Sequence, residues 1–250
     1  LSVDPLAAAF PGWSPYVYAL NNPLIFIDPD GRFSTHVDST GAVIAVYDDG
    51  DLGVYQHNDL GSGDRKRVDE RRAQSGSTSG NGIRMGKTET WDEFAEREGI
   101  AANPVLIDPL TQSYRPLEAR IMFGKSWNPV LLSMNRAAQL LDPINLAIES
   151  TGGGYFDLKT SAQYGTHGRL LGGYYVSSRS AGNFLAGMNA RTAGFSFETF
   201  QRTAGGLHRA GKIGAARAFF GKEYGPSPMY GEVEIQYRWS LRGYHGQLRW

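Results

Sequence analysis

The sequence predicts an α+β protein: a small β-meander after an N-terminal tail, then a mixed, mainly helical C-terminal domain. Three observations predict it. Between residues 33 and 57, β-branched and aromatic residues come in short runs bounded by Asp/Gly clusters, the pattern of strands joined by turns. From residue 128 onward, apolar residues recur at helical spacing. Aromatic residues make up 12% of the 250-residue chain, enough for a sizeable core.

Taken in order, residues 1–32 are turn chemistry around one apolar run. Asp4-Pro5 and Asp28-Pro29 each fix φ at proline and push the aspartate toward extended backbone. Asn21-Asn22-Pro23 and Asp30-Gly31 read as turns, with Leu24 to Ile27 as a short buried strand between them. Phe33 onward, Ala42 to Tyr47 and Leu52 to His57 read as three strands of a meander, over residues 33–57. His36 and His57 fall on adjacent strands, near Asp38 and Asp49, a composition more ordinary for a polar face than for a metal site. Residues 58–90 are polar, Gly/Ser-rich and without apolar periodicity, which predicts a flexible linker. Acids interleave the basic cluster Arg65-Lys66-Arg67, so it reads as a solvated segment rather than a nucleic-acid patch.

The last domain is expected over 91–250. Thr90 caps a short helix, Trp91 to Gly99, with Asp92, Glu93 and Glu96 near its start. Pro129 opens a helix carrying Val130, Leu131, Met134, Ala137, Ala138 and Leu141 on one stripe. Asp142-Pro143 ends it, and a second short helix covers Ile144 to Ile148. Tyr155 to Lys159 and Gly172 to Val176 read as strands. Ser177 or Ser178 starts a helix holding Ala181, Phe184, Leu185 and Met188 on one side. Ser196 to about Phe220 is a longer helical stretch, interrupted at Gly205-Gly206. Gly231 to Tyr244 fits a strand or a helix.

Composition limits the chemistry. With no cysteine, a Cys-Cys-His zinc deaminase and a papain-like protease are excluded. No apolar run approaches the ~18–20 residues of a spanning helix, so no transmembrane anchor is expected. The formal charge of zero divides unevenly: residues 1–109 carry 9 basic and 17 acidic side chains, and residues 110–250 carry 16 and 8. A basic C-terminal half suits a polyanion such as nucleic acid.

Candidate chemistry concentrates in residues 150–250. Asp157 and Lys159, two apart on the expected strand, would share a face. Asp157 with an upstream acid, Glu149 or Asp142, would hold Mg²⁺, and Lys159 would stabilise phosphoryl charge. A metal-free alternative uses His167, His208 or His245 as acid and base, with Lys159 and Arg179 on the phosphate. Asn183, behind Gly182 in a helix, is a further candidate because small neighbours permit close approach of a ligand. No G-x-S-x-G spacing surrounds Ser177, Ser178 or Ser180, so no nucleophile elbow is expected.

Two resemblances sharpen this. The order D-P-L, Y-x-Y, N-N-P, D-P-x-G over residues 4–31 resembles the C-terminal end of the RHS/YD-repeat-associated core domain. That resemblance implies a toxin-like payload beyond residue 32 and a parent chain of which this is a fragment, with any targeting signal upstream. It also implies an enclosing RHS shell and release of the payload by cleavage near Gly31 to Phe33. Asp4 and Asp28 stand where that family has its autoproteolytic aspartates, and Arg32 stands where it commonly has leucine. The pattern of residues 38–55 resembles small β-modules found between such cores and their toxins. F-D-L-K at 156–159, Y-Y-V-x-x-R-x-A-G-N-F-x-x-G at 174–187 and R-G-Y-H at 242–245 are similar to polymorphic toxin domains of the toxin-44 class. The implied activity is a nuclease used in interbacterial competition, acting on RNA more than DNA in the target cytoplasm. Its implied setting is type VI or similar export and a cognate immunity protein. The alternatives are a cell-envelope toxin such as a peptidoglycan hydrolase, with Glu149, Asp157 and Glu198 as its acids, and a non-enzymatic membrane-perturbing toxin.

Overall fold

The computed structural model describes residues 33–61, 63–88, 105–107, 114–116, 120–158, 161, 163–164, 167–232 and 234–246. The N-terminal tail with Asp4 and Asp28, the helix expected at 91–99 and Lys159 lie outside the described residues. The fold is α+β, and residues 32–250 make one compact unit.

The three N-terminal strands form where the sequence places them: β1 Phe33–Asp38, β2 Val43–Asp48 and β3 Gly53–His57. Their pairing is not a meander. β1 lies in the middle, antiparallel to β2 and parallel to β3. A meander would leave β1 at an edge. Its polar residues Ser34, Thr35 and His36 are instead fully buried. Two of them find side-chain partners: the Ser34 hydroxyl donates to the half-buried Asp49 at 2.6 Å, and His36 meets the buried His57. Buried polar groups are kept where a neighbour satisfies them.

The segment expected to be a flexible linker holds helix α1, Arg65–Ser75, and strand β4, Ile83–Lys87, which extends the sheet antiparallel to β3. One apolar residue of α1 is buried, Val68, packed with Ile44 and Leu60. Charged groups hold the rest. The Arg72 guanidinium lies 3.7 Å from the centre of the Tyr47 ring and pairs with Asp49 at 2.7 Å, while the Tyr47 hydroxyl donates to Asp69. Gly76 closes the helix in the left-handed region, its N–H donating to the Arg72 carbonyl.

A short ladder of β5, Val105–Ile107, and β6, Tyr114–Pro116, follows. Then β7, Arg120–Ser126, pairs in parallel with β8, His167–Leu171, and β8 turns back antiparallel into β9, Tyr174–Val176. The β8–β9 hairpin turns at Gly172-Gly173, both at positive φ. The two larger sheets join. The Ile121 N–H donates to the Gly41 carbonyl at 2.7 Å, and the Thr88 hydroxyl donates to the Tyr175 carbonyl. Val37, Val43 and Val54 share a core cluster with Ile121 and Tyr175, so the N-terminal strands and the later sheet bury one surface together.

The helices are α2 Asn128–Ala138, α3 Pro143–Glu149, α4 Ser178–Thr192, α5 Phe197–Phe219 and α6 Glu234–His245. The ambiguous C-terminal stretch is therefore helical. Ser177 and Ser196 cap α4 and α5 by accepting from the N–H three residues on. The main core gathers Trp127, Leu131, Leu158, Leu171, Ala181, Leu185 and Trp239. α5 is helical through Gly205-Gly206 and breaks at Ala210-Gly211 instead. The two glycines serve packing: a side chain at Gly205 would strike the Tyr230 carbonyl, and one at Gly206 the Gly214 carbonyl.

Residues 155–158 form turns, not the expected strand. Gly154 folds onto the end of α3, with no room for a Cβ beside Glu149, and the Phe156 N–H donates to the Glu149 carbonyl. Phe156 and Leu158 thereby enter the core.

Candidate functional site

The expected Asp157–Glu149 pair brackets one glycine-rich loop, with Glu149 at the end of α3 and Asp157 in the turns beyond it. Gly153 stands at φ 81° there. Asp157 Oδ2 accepts from the Gly153 N–H at 2.9 Å, and Glu149 Oε2 accepts from the Tyr155 N–H at 2.8 Å. Both carboxylates thus act as turn caps, and Asp157 leaves a turn rather than a strand face. Among the described residues, no group of three or more His, Asp or Glu side chains gathers in metal-binding geometry.

The remaining candidates stand on separate elements. Arg179 and Asn183 lie about a turn apart on α4, both half-buried. Gly182 packs toward Leu158, so this part of the small-residue stretch serves the helix's contact with the 150–158 loop. His208 is exposed on α5. His245 ends α6 beside the rings of Tyr244 and Phe197. His167 opens β8, and here the structure brings in cations that the sequence did not single out.

Strand pairing sets His167 opposite Arg120 of β7. Arg169, two residues along, points to the same side. Its guanidinium approaches His167 Nδ1 at 3.5 Å and lies over the rings of Tyr164, at 4.9 Å, and Trp127, at 5.2 Å. Trp127 is fully buried and donates from Nε1 to the Val176 carbonyl at 2.9 Å, giving Arg169 a rigid apolar floor. Arg169 Nε is buried without a hydrogen-bond partner. Arg120 is anchored by donation to the Thr40 carbonyl at 3.2 Å.

Burial, then the charges of Arg169 and Arg120, hold the His167 imidazole below its ordinary pKa. A neutral imidazole can accept a proton, and two guanidiniums beside it can bind an anionic group. An anion bound there would draw the imidazole pKa back up. His-x-Arg on a strand was the available signal. It was missed because His167–Leu171 is short and contains glycine, so the strand itself was not expected.

No family model, curated protein or solved structure matches this chain. No helix among the described residues is long and apolar enough to cross a membrane.

Proposed function

We propose that this chain is the effector region of an RHS-family protein and that it cleaves RNA without needing a metal for the chemical step. The observation that supports the activity is the placement of His167 against Arg169 and opposite Arg120. The basic character of residues 110–250 favours a polyanionic substrate. His167 takes the proton of a ribose 2′-hydroxyl. The 2′-oxygen attacks the adjacent phosphorus, the bond to the 5′-oxygen breaks, and the leaving oxygen takes a proton from solvent. Arg169 and Arg120 hold the phosphate oxygens as charge builds on them. The internal nucleophile is the reason for choosing RNA, since DNA lacks the 2′-hydroxyl. The same reading includes release from the RHS shell through Asp4 and Asp28, export into a target cell, and an immunity protein that blocks the site.

Incubation of the 250-residue protein with RNA and with plasmid DNA, in Mg²⁺ and in EDTA, tests this. RNA should be cut in both buffers, leaving 2′,3′-cyclic phosphate ends. His167→Ala should slow cleavage by roughly 10²–10⁴-fold. Cleavage abolished by EDTA and by Asp157→Asn would transfer the chemistry to Mg²⁺ at Asp157 and Glu149. Intact RNA in the presence of folded protein refutes the nuclease reading.

A further inference from the structure

After its break at Ala210-Gly211, α5 continues as a short arm that turns its helix inside out. Gly214 and Ala218 face the protein and are buried, with Gly214 packed against Gly206. Two large apolar residues face the other way, Phe220 at 87% exposed and Ile213 at 68%, and Phe219, 47% exposed, sits beside them with one edge against the Phe195 ring. Helical spacing places Ala216 between them and sets Lys212 and Arg217 on the two borders of that face. Arg209 and Lys222 flank the arm, against one acid, Glu223. All these charged side chains are exposed. Gly211 and Gly221, both at positive φ, bracket it.

A helix that buries its small residues and presents phenylalanines to solvent has an unmet apolar face. The charge beside that face selects an anionic occupant. The arm's helix is about 12 Å long, while a stable protein interface needs roughly 800 Å² from each side. A short helix with aromatic residues on one face and lysine and arginine at its borders suits shallow insertion, with the cations reaching to headgroups. From these observations we infer that residues 212–222 dock the protein onto an anionic lipid surface, with Ile213, Phe219 and Phe220 entering the acyl boundary. This site is separate from the His167 cluster and does not depend on the nuclease reading.

Cosedimentation of the 250-residue protein with vesicles tests it. Vesicles of equal parts phosphatidylcholine and phosphatidylglycerol should bind the protein, and vesicles of phosphatidylcholine alone should not. Lys212→Gln and Arg217→Gln should each weaken binding about fivefold. The double variant Phe219→Ser/Phe220→Ser should weaken it more than ~10-fold, with an unchanged circular dichroism spectrum and unfolding midpoint. The inference fails if anionic vesicles are not bound, or if the folded double variant binds them as well as the parent. It also fails if the phenylalanine substitutions abolish RNA binding but leave vesicle binding intact, which would make the arm a nucleic-acid contact.

Discussion

His36 Nδ1 lies 2.8 Å from His57 Nε2, with both rings buried between β1 and β3. One nitrogen donates and the other accepts, so at least one imidazole must stay neutral to keep the bond, and a charge on either ring would be buried. Burial, then the neighbouring His57 and Arg72, bring the His36 pKa down to about 3, with Asp51 opposing. His57 is also lowered, by burial and Arg71, with Asp59 opposing. The unfolded chain therefore takes up protons first. The stabilisation is fully present above pH ~6.5 and is lost as pH falls toward about 3. Urea unfolding between pH 7.5 and 4 should show a loss on the order of 3 kcal/mol from His36. His36→Gln should be less stable at pH 7.5 and have a shallower pH slope. An equal slope in both proteins counts against the pair as its source.

Gly187 is expected to tolerate no side chain. α4 and α6 cross there so closely that a Cβ would collide with the Ser240 carbonyl and crowd the Tyr244 N–H. Gly243 meets the Phe184 backbone in the same way. Gly187→Ala should cost about 3 kcal/mol in thermal or urea unfolding, although alanine is the better helix former.

Trp127→Phe should report on the floor beneath Arg169. It removes the donor to the Val176 carbonyl and shrinks the ring under the guanidinium. A loss of about 1–3 kcal/mol is expected, together with weaker RNA binding in a filter assay. Unchanged RNA binding in the folded variant would separate Arg169 from the substrate.

Asp157→Asn should behave almost as the parent. The amide oxygen can still accept from the Gly153 N–H, so stability should change by less than about 1 kcal/mol. Asp157→Ala should lose roughly 1 kcal/mol with the cap. Under the proposed mechanism neither variant slows RNA cleavage measured in EDTA.

The legible elements were those with a strong local pattern. α2 follows Pro129 and an apolar stripe, and α4 follows the Ser177 cap and its own stripe. Helix α1 was not legible because it is held by Arg72, Asp69 and one valine, and a single buried residue makes no periodicity. The Tyr155–Lys159 stretch alternates like a strand, yet Gly154 and the end of α3 fold residues 155–158 into turns. Propensity yields there to packing.

By itself the sequence determined the α+β class, the positions of β1 to β3, of β9 and of α2 to α5, the basic second half, and the absence of thiol chemistry. It also carries the ordered N-terminal motifs behind the RHS resemblance. Only the tertiary structure decided that β1 is a central strand, that Gly41 and Ile121 join two sheets, and that His167 meets Arg120 and Arg169. The physical reason is range. Turns and helical stripes are written in neighbouring residues. The setting of an ionisable group is made by strands paired across long stretches of chain and by burial, and no local pattern records either.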